Sequence, residues 1–381
     1  MRGLRGFENH PARCTTEPRA TPGLGSTPGA YRLRPVSRPS LRDVAAQAGV
    51  SVSLVSYALN GNGRVSEETR ARILQVADAL GYRVNRHARM LRTDRGVDIG
   101  VIIRNLRNPF FLDGLAALEE QARDEGRAVL VTNSQYDLQE QQDLLAHFAQ
   151  LGVGGIVIAP IGGAGPLMEW KDAHPHIGVV ALNLDMGERD GGERDGRSTE
   201  HGRLSTINPD HGSAVREAVA HLAERGHRAV DFIAAPAEAV ADAVREKVFL
   251  RECEARGIGG RILRSALRPE DVAELVEAEL RRRVLEAAQP EHPCYLLNSD
   301  HLAVAVYGAA ARLGLRVGHD VSVIGHDDLP TSALLAPALT TVSFDRARIG
   351  AEALRLLRGD LAERLVLPVE LRRRDSVADL G

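Results

Sequence analysis

The chain has 381 residues, of which 44% are hydrophobic and 26% charged, and its formal net charge is −3. These values indicate a soluble globular protein of two to three domains and exclude a fibrous or wholly disordered chain. Charge is unevenly distributed: residues 1–38 hold seven Arg and two Glu, residues 39–95 nine Arg and five acids, and residues 96–381 have 32 basic and 44 acidic residues. A basic end on an acidic body is typical of a protein that binds nucleic acid through that end alone.

Residues 1–38 are rich in Pro, Gly, Arg and Thr without periodicity, which predicts a disordered tail. This segment has no apolar core, so we expect no secretory signal. The three cysteines, Cys14, Cys253 and Cys294, are far apart and have no metal-ligand or disulfide spacing, which favours a reducing, cytoplasmic location. The longest run without charged residues, Leu144–Met168, contains several Gly and two Pro and is therefore not a membrane span. We expect no metal, cofactor or membrane partner.

Residues 40–59 predict two short helices. Apolar residues recur at helical spacing in both, at Leu41, Val44, Ala45 and Ala48 and then at Leu54, Val55, Ala58 and Leu59. Gly49 can end the first helix in a left-handed conformation, and Ser51 can cap the second. Two helices joined by a Gly-containing turn form a helix-turn-helix, whose second helix enters the DNA major groove.

A third helix should begin after Ser66, pack through Ile73, Val76, Ala77 and Leu80, and end at Gly81. We therefore predict a helix-turn-helix DNA-binding domain over residues 39–84. The basic segment Asn85–Arg95 is too short to be a stable isolated helix. It is either a hinge helix that folds on DNA or a plain charged linker.

Beyond Val97 the sequence alternates between apolar, β-branched runs and helical stretches. The runs form two series, DIGVII, RAVLVTN, GGIVIA and GVVALNL, then AVDFIAA, GRILRSA, CYLLNS and DVSVIGH. A charged, Gly-rich loop over 187–203 separates them. This pattern predicts an α/β fold class in which parallel sheets are flanked by helices. Residues 96–381 should form two lobes facing a cleft, with ligands bound at the carboxyl ends of the strands.

Several segments, in order, resemble the lac-repressor/galactose-repressor (LacI/GalR) family of bacterial transcription regulators. They are LRDVAAQAGVS, VSYALNG, VSEETRARI, LGYRVN, NPFF, GHR, DVSVIGHDD and LTTV, and the resemblance covers Ser40 to about Ser376. It implies a homodimer on a pseudo-palindromic double-stranded operator. It also implies a two-lobed core that resembles periplasmic sugar-binding proteins, with the chain crossing between lobes near residues 206, 343 and 362.

The resemblance also implies which residues contact DNA. Val52, Ser53 and Tyr57 would read bases, although Val52 could instead only pack. Phosphate contacts or caps are expected at Ser51, Ser56 and Asn60, and phosphate contacts at Arg64 and Arg70 unless these are plain surface charges. The hinge would place Asn85, Ala88 and Leu91 in the minor groove, with Leu91 as the wedge at the central step, or else as an ordinary core leucine. Val84 replaces the usual Pro before the hinge.

For the cleft, the resemblance implies an effector bound by Phe110, Phe111, Asn183, Arg245 and Asp300. An aromatic ring can stack on a sugar, and a guanidinium and a carboxylate can hold vicinal hydroxyls. The stretch containing Asp327 is as compatible with a structural role as with ligand binding. Departures from the family pattern, including Arg104, leave a sugar favoured, with another small metabolite, even an anionic one, as the alternative.

These features predict a cytoplasmic, homodimeric, ligand-responsive transcriptional regulator, with a repressor of metabolite genes favoured. Whether the ligand induces or co-represses is left open. One alternative is a small-molecule-binding protein with a non-functional DNA head. The other is an α/β enzyme, which we do not favour because the sequence has no GxGxxG after a strand, no GxxxxGK[ST] and no GxSxG.

Overall fold

The computed structural model describes residues 39–59, 65–82, 98–184, 186, 204–236, 243–288, 291–359 and 361–381. The chain divides into two compact units, Met1–Asn85 and Arg86–Gly381, each treated by itself. The expectations for the tail 1–38, the hinge 85–95 and the loop 187–203 lie outside the described residues. The proposed domain boundaries stay predictions.

The first unit contains three helices, α1 Leu41–Ala48, α2 Val52–Leu59 and α3 Glu67–Ala79. The Ser51 hydroxyl accepts a hydrogen bond from the Leu54 amide at 3.2 Å, so it caps α2 as expected. Gly49, at φ 66°, ends α1 in the left-handed conformation. The three helices share a small core of buried apolar residues: Val44, Ala45, Ala48, Val55, Ala58, Val65, Ile73 and Ala77.

The second unit alternates strands and helices. In chain order they are β1 Ile99–Ile103, α4 Phe110–Asp124, β2 Val129–Asn133, α5 Leu138–Leu151, β3 Gly155–Ile158, α6 Ala164–Ala173, β4 Gly178–Leu182, β5 Leu204–Pro209, α7 His211–Glu224, β6 Ala229–Ala234, α8 Ala243–Ala255, β7 Gly259–Arg264, α9 Pro269–Leu280, β8 Cys294–Leu297, α10 Ala303–Arg312, β9 Ser322–His326, β10 Thr340–Ser343, α11 Arg346–Arg358, β11 Arg364–Leu367 and β12 Glu370–Arg372. A π-helical turn, Arg281–Leu285, follows α9, and 3-10 turns lie at Asp300–Leu302 and Pro330–Leu334.

The strands form two six-stranded sheets, in the orders β11-β5-β4-β3-β1-β2 and β12-β10-β9-β8-β6-β7. Pairing is parallel throughout except between β10 and β12. Apolar clusters of strand and helix residues give each sheet its core. The predicted α/β fold of helix-flanked parallel sheets is therefore confirmed.

The chain passes between the two lobes three times. The strand pairings place these passages after Pro209, after Ser343 and after Leu367. The crossings expected near 206 and 362 come later, because β5 and β11 pair with each other inside the first sheet. Sequence reasoning did not identify β5, β10, β11 or β12 as strands.

Helices α4 and α11 cross at very close range in the first lobe. A Cβ atom placed on Gly350 would lie 2.0 Å from the Gly114 carbonyl oxygen and 2.7 Å from the Leu118 amide nitrogen. Only a residue without a side chain fits at that position. This crossing fixes the start of α4, which carries Phe110 and Phe111, against the start of α11.

Candidate functional site

A cleft lies between the two lobes of the second unit and encloses about 560 Å³, part of it open to solvent. The first lobe contributes Arg104, Asn108, Phe110, Phe111, Tyr136 and Asn183. The second lobe contributes Arg245, Asn298, Ser299, His301, His326 and Asp327. Most of these residues follow the carboxyl ends of strands or begin helices, where open α/β sheets bind ligands.

Aromatic rings form one wall of the cleft. Phe110 and Phe111 meet edge to face, with ring centroids 4.8 Å apart. Phe344 continues the wall, with its ring centroid 6.0 Å from that of Phe110 and 5.7 Å from that of His326. The His211 ring packs behind the His326 ring, with their centroids 5.8 Å apart. The wall offers an apolar surface on which a ligand ring can stack.

Two buried guanidinium groups, one from each lobe, reach the cleft. Arg104, at the end of β1, donates from Nε to the Pro160 carbonyl at 2.9 Å and from Nη2 to the Asn183 carbonyl at 3.4 Å. Arg245, near the start of α8, donates from Nη1 to the Asn298 carbonyl at 3.0 Å. These carbonyls fix the plane of each guanidinium, a group with five N–H donors in a rigid fork.

Asp327 supplies the carboxyl group of the cleft. Its backbone is left-handed, at φ 113°, and its Oδ2 accepts a hydrogen bond from the Ser299 hydroxyl at 2.7 Å. Burial raises the pKa of Asp327 well above its usual value, and the neighbouring charge of Asp300 raises it further. The neighbouring guanidinium groups of Arg245 and Arg346 and the hydrogen bond from Ser299 oppose this rise.

Asp300, the carboxylate expected from the sequence, is not among the lining residues. It is buried and accepts hydrogen bonds from the Leu329 amide at 3.0 Å, the Ser332 hydroxyl at 2.5 Å and the Thr341 hydroxyl at 2.6 Å. Burial raises the pKa of Asp300 to about 6, although these hydrogen bonds oppose the rise. The side chain therefore braces the loop after β9, and the structure offers Asp327 as the cleft carboxyl instead.

Sequence reasoning missed His301 and His326, which line the cleft, and His211, whose ring packs behind that of His326. His211 begins α7, and its Nδ1 is buried without a hydrogen-bond partner among the described residues. Burial lowers the pKa of His211 well below its usual value, and the positive charges of Arg245 and Arg104 lower it further. His301 lines the cleft with its buried Nε2 similarly unpartnered among the described residues. The strand-end rule could have suggested His211, because it follows β5, had that strand been recognised.

The structure thus brings four of the five expected effector residues to one cleft. Phe110, Phe111, Asn183 and Arg245 all line it. Asn183 contributes through a left-handed backbone at φ 53°, which directs its carbonyl to Arg104.

In the first unit, α2 presents an outward face of expected DNA-binding residues. Val52 and Tyr57 are 43% and 38% exposed despite being large and apolar in part, and Ser53 is exposed. Ser56 is only 9% exposed and lies on the packing face of α2, so the expected phosphate contact there has no support in the free domain. Ser51 is exposed but engaged as the α2 cap. Arg70 lies on α3, half-buried.

The remaining expected DNA contacts, Asn60, Arg64, Asn85, Ala88 and Leu91, lie outside the described residues. Within the part of the chain that the structure describes, no helix is long and apolar enough to cross a membrane. The same residues contain no group of three or more His, Cys, Asp or Glu side chains that could hold a metal ion.

Comparison with known proteins matches both units. Residues 40–85 match the family model "Bacterial regulatory proteins, lacI family", and residues 219–377 match "Periplasmic binding protein-like domain". The HTH-type transcriptional repressor PurR of Proteus mirabilis is 28% identical over 351 residues, covering 89% of this chain and 97% of that protein. The ribose operon repressor of Bacillus subtilis is 28% identical over 322 residues, covering 84% of this chain and 91% of that protein.

Solved structures share the fold. The lac repressor dimer bound to operator and the anti-inducer ONPF superposes with a TM-score of 0.73 at 23% identity, covering 90% of this chain and all of that one. The CelR–cellobiose complex superposes with a TM-score of 0.61 at 24% identity, covering 89% of this chain and all of that one. The two family models are matched in the expected order, so the chain carries a lacI-family helix-turn-helix domain followed by a periplasmic-binding-protein-like domain.

Proposed function

We propose that this protein is a ligand-responsive, sequence-specific repressor of metabolic genes that binds operator DNA as a homodimer and acts in the cytoplasm. The observation that carries the proposal is the pairing, in one chain, of an α2 helix with exposed Val52, Ser53 and Tyr57 and a two-lobed cleft with buried donors. The relatives named PurR and ribose operon repressor are repressors by name. The chain is a regulator and not an enzyme.

The α2 helix would read bases in the major groove. The Val52 methyls can contact a thymine methyl, the Ser53 hydroxyl can donate or accept, and Tyr57 adds a hydroxyl and a ring face. Asn60, Arg64 and Arg70 would hold phosphates and fix the register without specifying sequence. The hinge residues Asn85, Ala88 and Leu91 would bind the minor groove at the dyad, with Leu91 as the wedge.

The cleft would hold a small polyhydroxylated metabolite, with a sugar as the favoured class. The aromatic wall can stack on the C–H face of a sugar ring, and the Arg245 fork and the Asn183 side chain can bond adjacent hydroxyls. Asp327 takes the role that the resemblance gave to Asp300. CelR, with cellobiose, shows that this fold accommodates a sugar.

Regulation would follow from linkage between the two sites. A ligand that binds one closure state of the lobes better shifts the population towards that state. Closure would change the separation of the hinge segments in the dimer and hence operator affinity, with either sign of coupling.

The experiment that tests this function is selection of duplex DNA from a random pool by the purified full chain at near-physiological salt. We expect enrichment of a pseudo-palindrome with a central pyrimidine–purine step such as CG. Tyr57→Ala should bind the selected duplex about fivefold or more weakly, since a good base contact contributes about 1–3 kcal/mol. The matched control is Gln75→Ala, an exposed position on α3, which should bind like wild type.

Salt-sensitive, sequence-blind binding, both without ligand and with a panel of sugars, would refute the repressor proposal. If a sugar then still raised the melting temperature, the alternative of a ligand-binding protein with a non-functional DNA head would be correct.

A further inference from the structure

Arg346 occupies a junction between the lobes. It is the first residue of α11 and follows directly on the passage of the chain out of the second lobe after Ser343. Its side chain is only 11% exposed. A guanidinium that is largely removed from water makes stronger and less screened contacts than a surface arginine.

One side of the Arg346 fork binds its own lobe. Nε donates to Oδ2 of Asp113 at 2.9 Å, and Nη2 lies 2.7 Å from the same oxygen. Asp113 is in the first turn of α4, two residues after Phe111 of the cleft wall. The close crossing of α4 and α11 at Gly350 makes this pair part of one rigid body.

The other side of the fork binds the second lobe. Nη1 donates to the backbone carbonyls of Asp327 and Asp328, the latter at 2.7 Å. Both residues have left-handed backbones, at φ 113° and 50°. This loop is anchored in its own lobe, because the Asp327 amide bonds the Val342 carbonyl at 2.9 Å and the Asp328 carboxylate accepts from Arg374 at 2.6 Å.

We propose that Arg346 is an inter-lobe tether that positions Asp327 in the cleft and restrains rotation of the two lobes. A rotation that moves the start of α11 away from the loop after β9 would lengthen the bonds from Nη1 to the two carbonyls, since Asp113 holds the guanidinium to the first lobe. The tether itself depends only on the contacts above. Its consequence for gene regulation rests on the proposed function.

The test measures the separation of the lobes directly, in the full chain without ligand. Spin labels at Glu169→Cys in α6 and Glu254→Cys in α8, both exposed positions, report one on each lobe. Cys14→Ser removes the thiol of the tail. The buried Cys253 and Cys294 can stay, because burial raises the pKa of both thiols, that of Cys253 to about 11, and thiols rather than thiolates react poorly.

Arg346→Gln should move the mean distance between the labels by more than about 2 Å or visibly broaden its distribution. Arg346→Lys keeps a charge beside Asp113 but loses the planar fork, so it should give a smaller change of the same kind. The matched control is Arg348→Gln. Arg348 lies two residues after Arg346 on α11 and forms an ion pair with Glu352 of the same helix. This control variant should leave the distribution unchanged.

A wild-type distance distribution in the folded Arg346→Lys and Arg346→Gln proteins would overturn the tether, whatever their melting temperatures. If Arg346→Gln does not fold, the lysine variant decides alone. A lower melting temperature without a distance change would mean that Arg346 only stabilises the core.

The regulatory consequence is tested with the duplex that wild type selects. Arg346→Gln should change affinity for it by about fivefold or more, and Arg348→Gln should not. A changed distance with unchanged affinity would overturn the regulatory consequence alone. Failure of wild type to select any duplex would refute the proposed function, whereas the distance measurement would still decide the tether.

Discussion

Replacing Gly350 by Ala should separate helices α4 and α11 and destabilise the second unit. The new methyl carbon would stand 2.0 Å from the Gly114 carbonyl oxygen and 2.7 Å from the Leu118 amide nitrogen. Both atoms are backbone, so no side-chain rotation can relieve the overlap and the helices must move apart. Overpacking of this kind costs about 3 kcal/mol, the upper part of its usual range. The better helix propensity of Ala returns about 1 kcal/mol, which leaves a net loss near 2 kcal/mol.

Gly308→Ala is the matched control because Gly308 is also inside a helix, α10, but has room around it. Its added Cβ would meet only the Arg312 Nη1 at 3.4 Å, the far end of a flexible side chain. This variant should gain up to about 1 kcal/mol from helix propensity. The two glycine substitutions should therefore differ by about 3 kcal/mol in free energy of unfolding.

Denaturant unfolding followed by Trp fluorescence measures this difference, since the chain has one Trp, Trp170, and it lies in α6 of the first lobe. The signal therefore reports the second unit and not the DNA-binding head. Equal midpoints for Gly350→Ala and Gly308→Ala, at equal m-values, would refute the reasoning.

The remaining predictions concern pH, ligand response and DNA binding. Because burial raises the pKa of Asp300 to about 6, above about 3.9 in the unfolded chain, wild type should lose up to about 3 kcal/mol of stability between pH 4 and pH 7, a loss that Asp300→Asn should lack. The free energy of unfolding in urea is measured for both proteins from pH 4 to pH 7. An equal pH dependence in the two proteins would contradict this prediction. Arg245→Ala should abolish the effect of an identified ligand on operator binding in fluorescence anisotropy but keep the binding itself; a retained response would move the site elsewhere. Leu91→Ala should weaken specific operator binding about tenfold or more with ligand affinity unchanged, and equal operator affinity would exclude the wedge.

Local sequence patterns were sufficient for the elements whose signals are local. The apolar runs of both series became strands, and Gly49, Ser51 and Gly81 bound the helices of the head as expected. Strand β5 was missed because its sequence, LSTINP, is partly polar and ends in Pro, and strand β11 because it has only four residues. Strand β11 pairs only with β5, across a long stretch of chain, and no local pattern encodes that pairing.

The choice between two aspartates as the carboxyl group of the cleft shows the same limit. Asp300 and Asp327 both follow strands, so sequence position alone could not separate them. The structure turns Asp300 inwards because Gly325 leaves it space, a Cβ there lying 1.9 Å from its Oδ1. Asp327 is left to the cleft. His211 and His301 were missed for a related reason, since the burial of one ring nitrogen in each results from tertiary packing of distant segments.

The late pairing of β11 with β5 has a consequence for biosynthesis. The first lobe begins to emerge from the ribosome early, yet α11 and β11 are made only after nearly all of the second lobe. At about 5–20 residues per second, the edge of β5 stays uncovered for roughly ten to thirty seconds. Neither lobe can therefore complete its fold ahead of the other, and the exposed β5 edge is the point at which nascent chains would need chaperone protection.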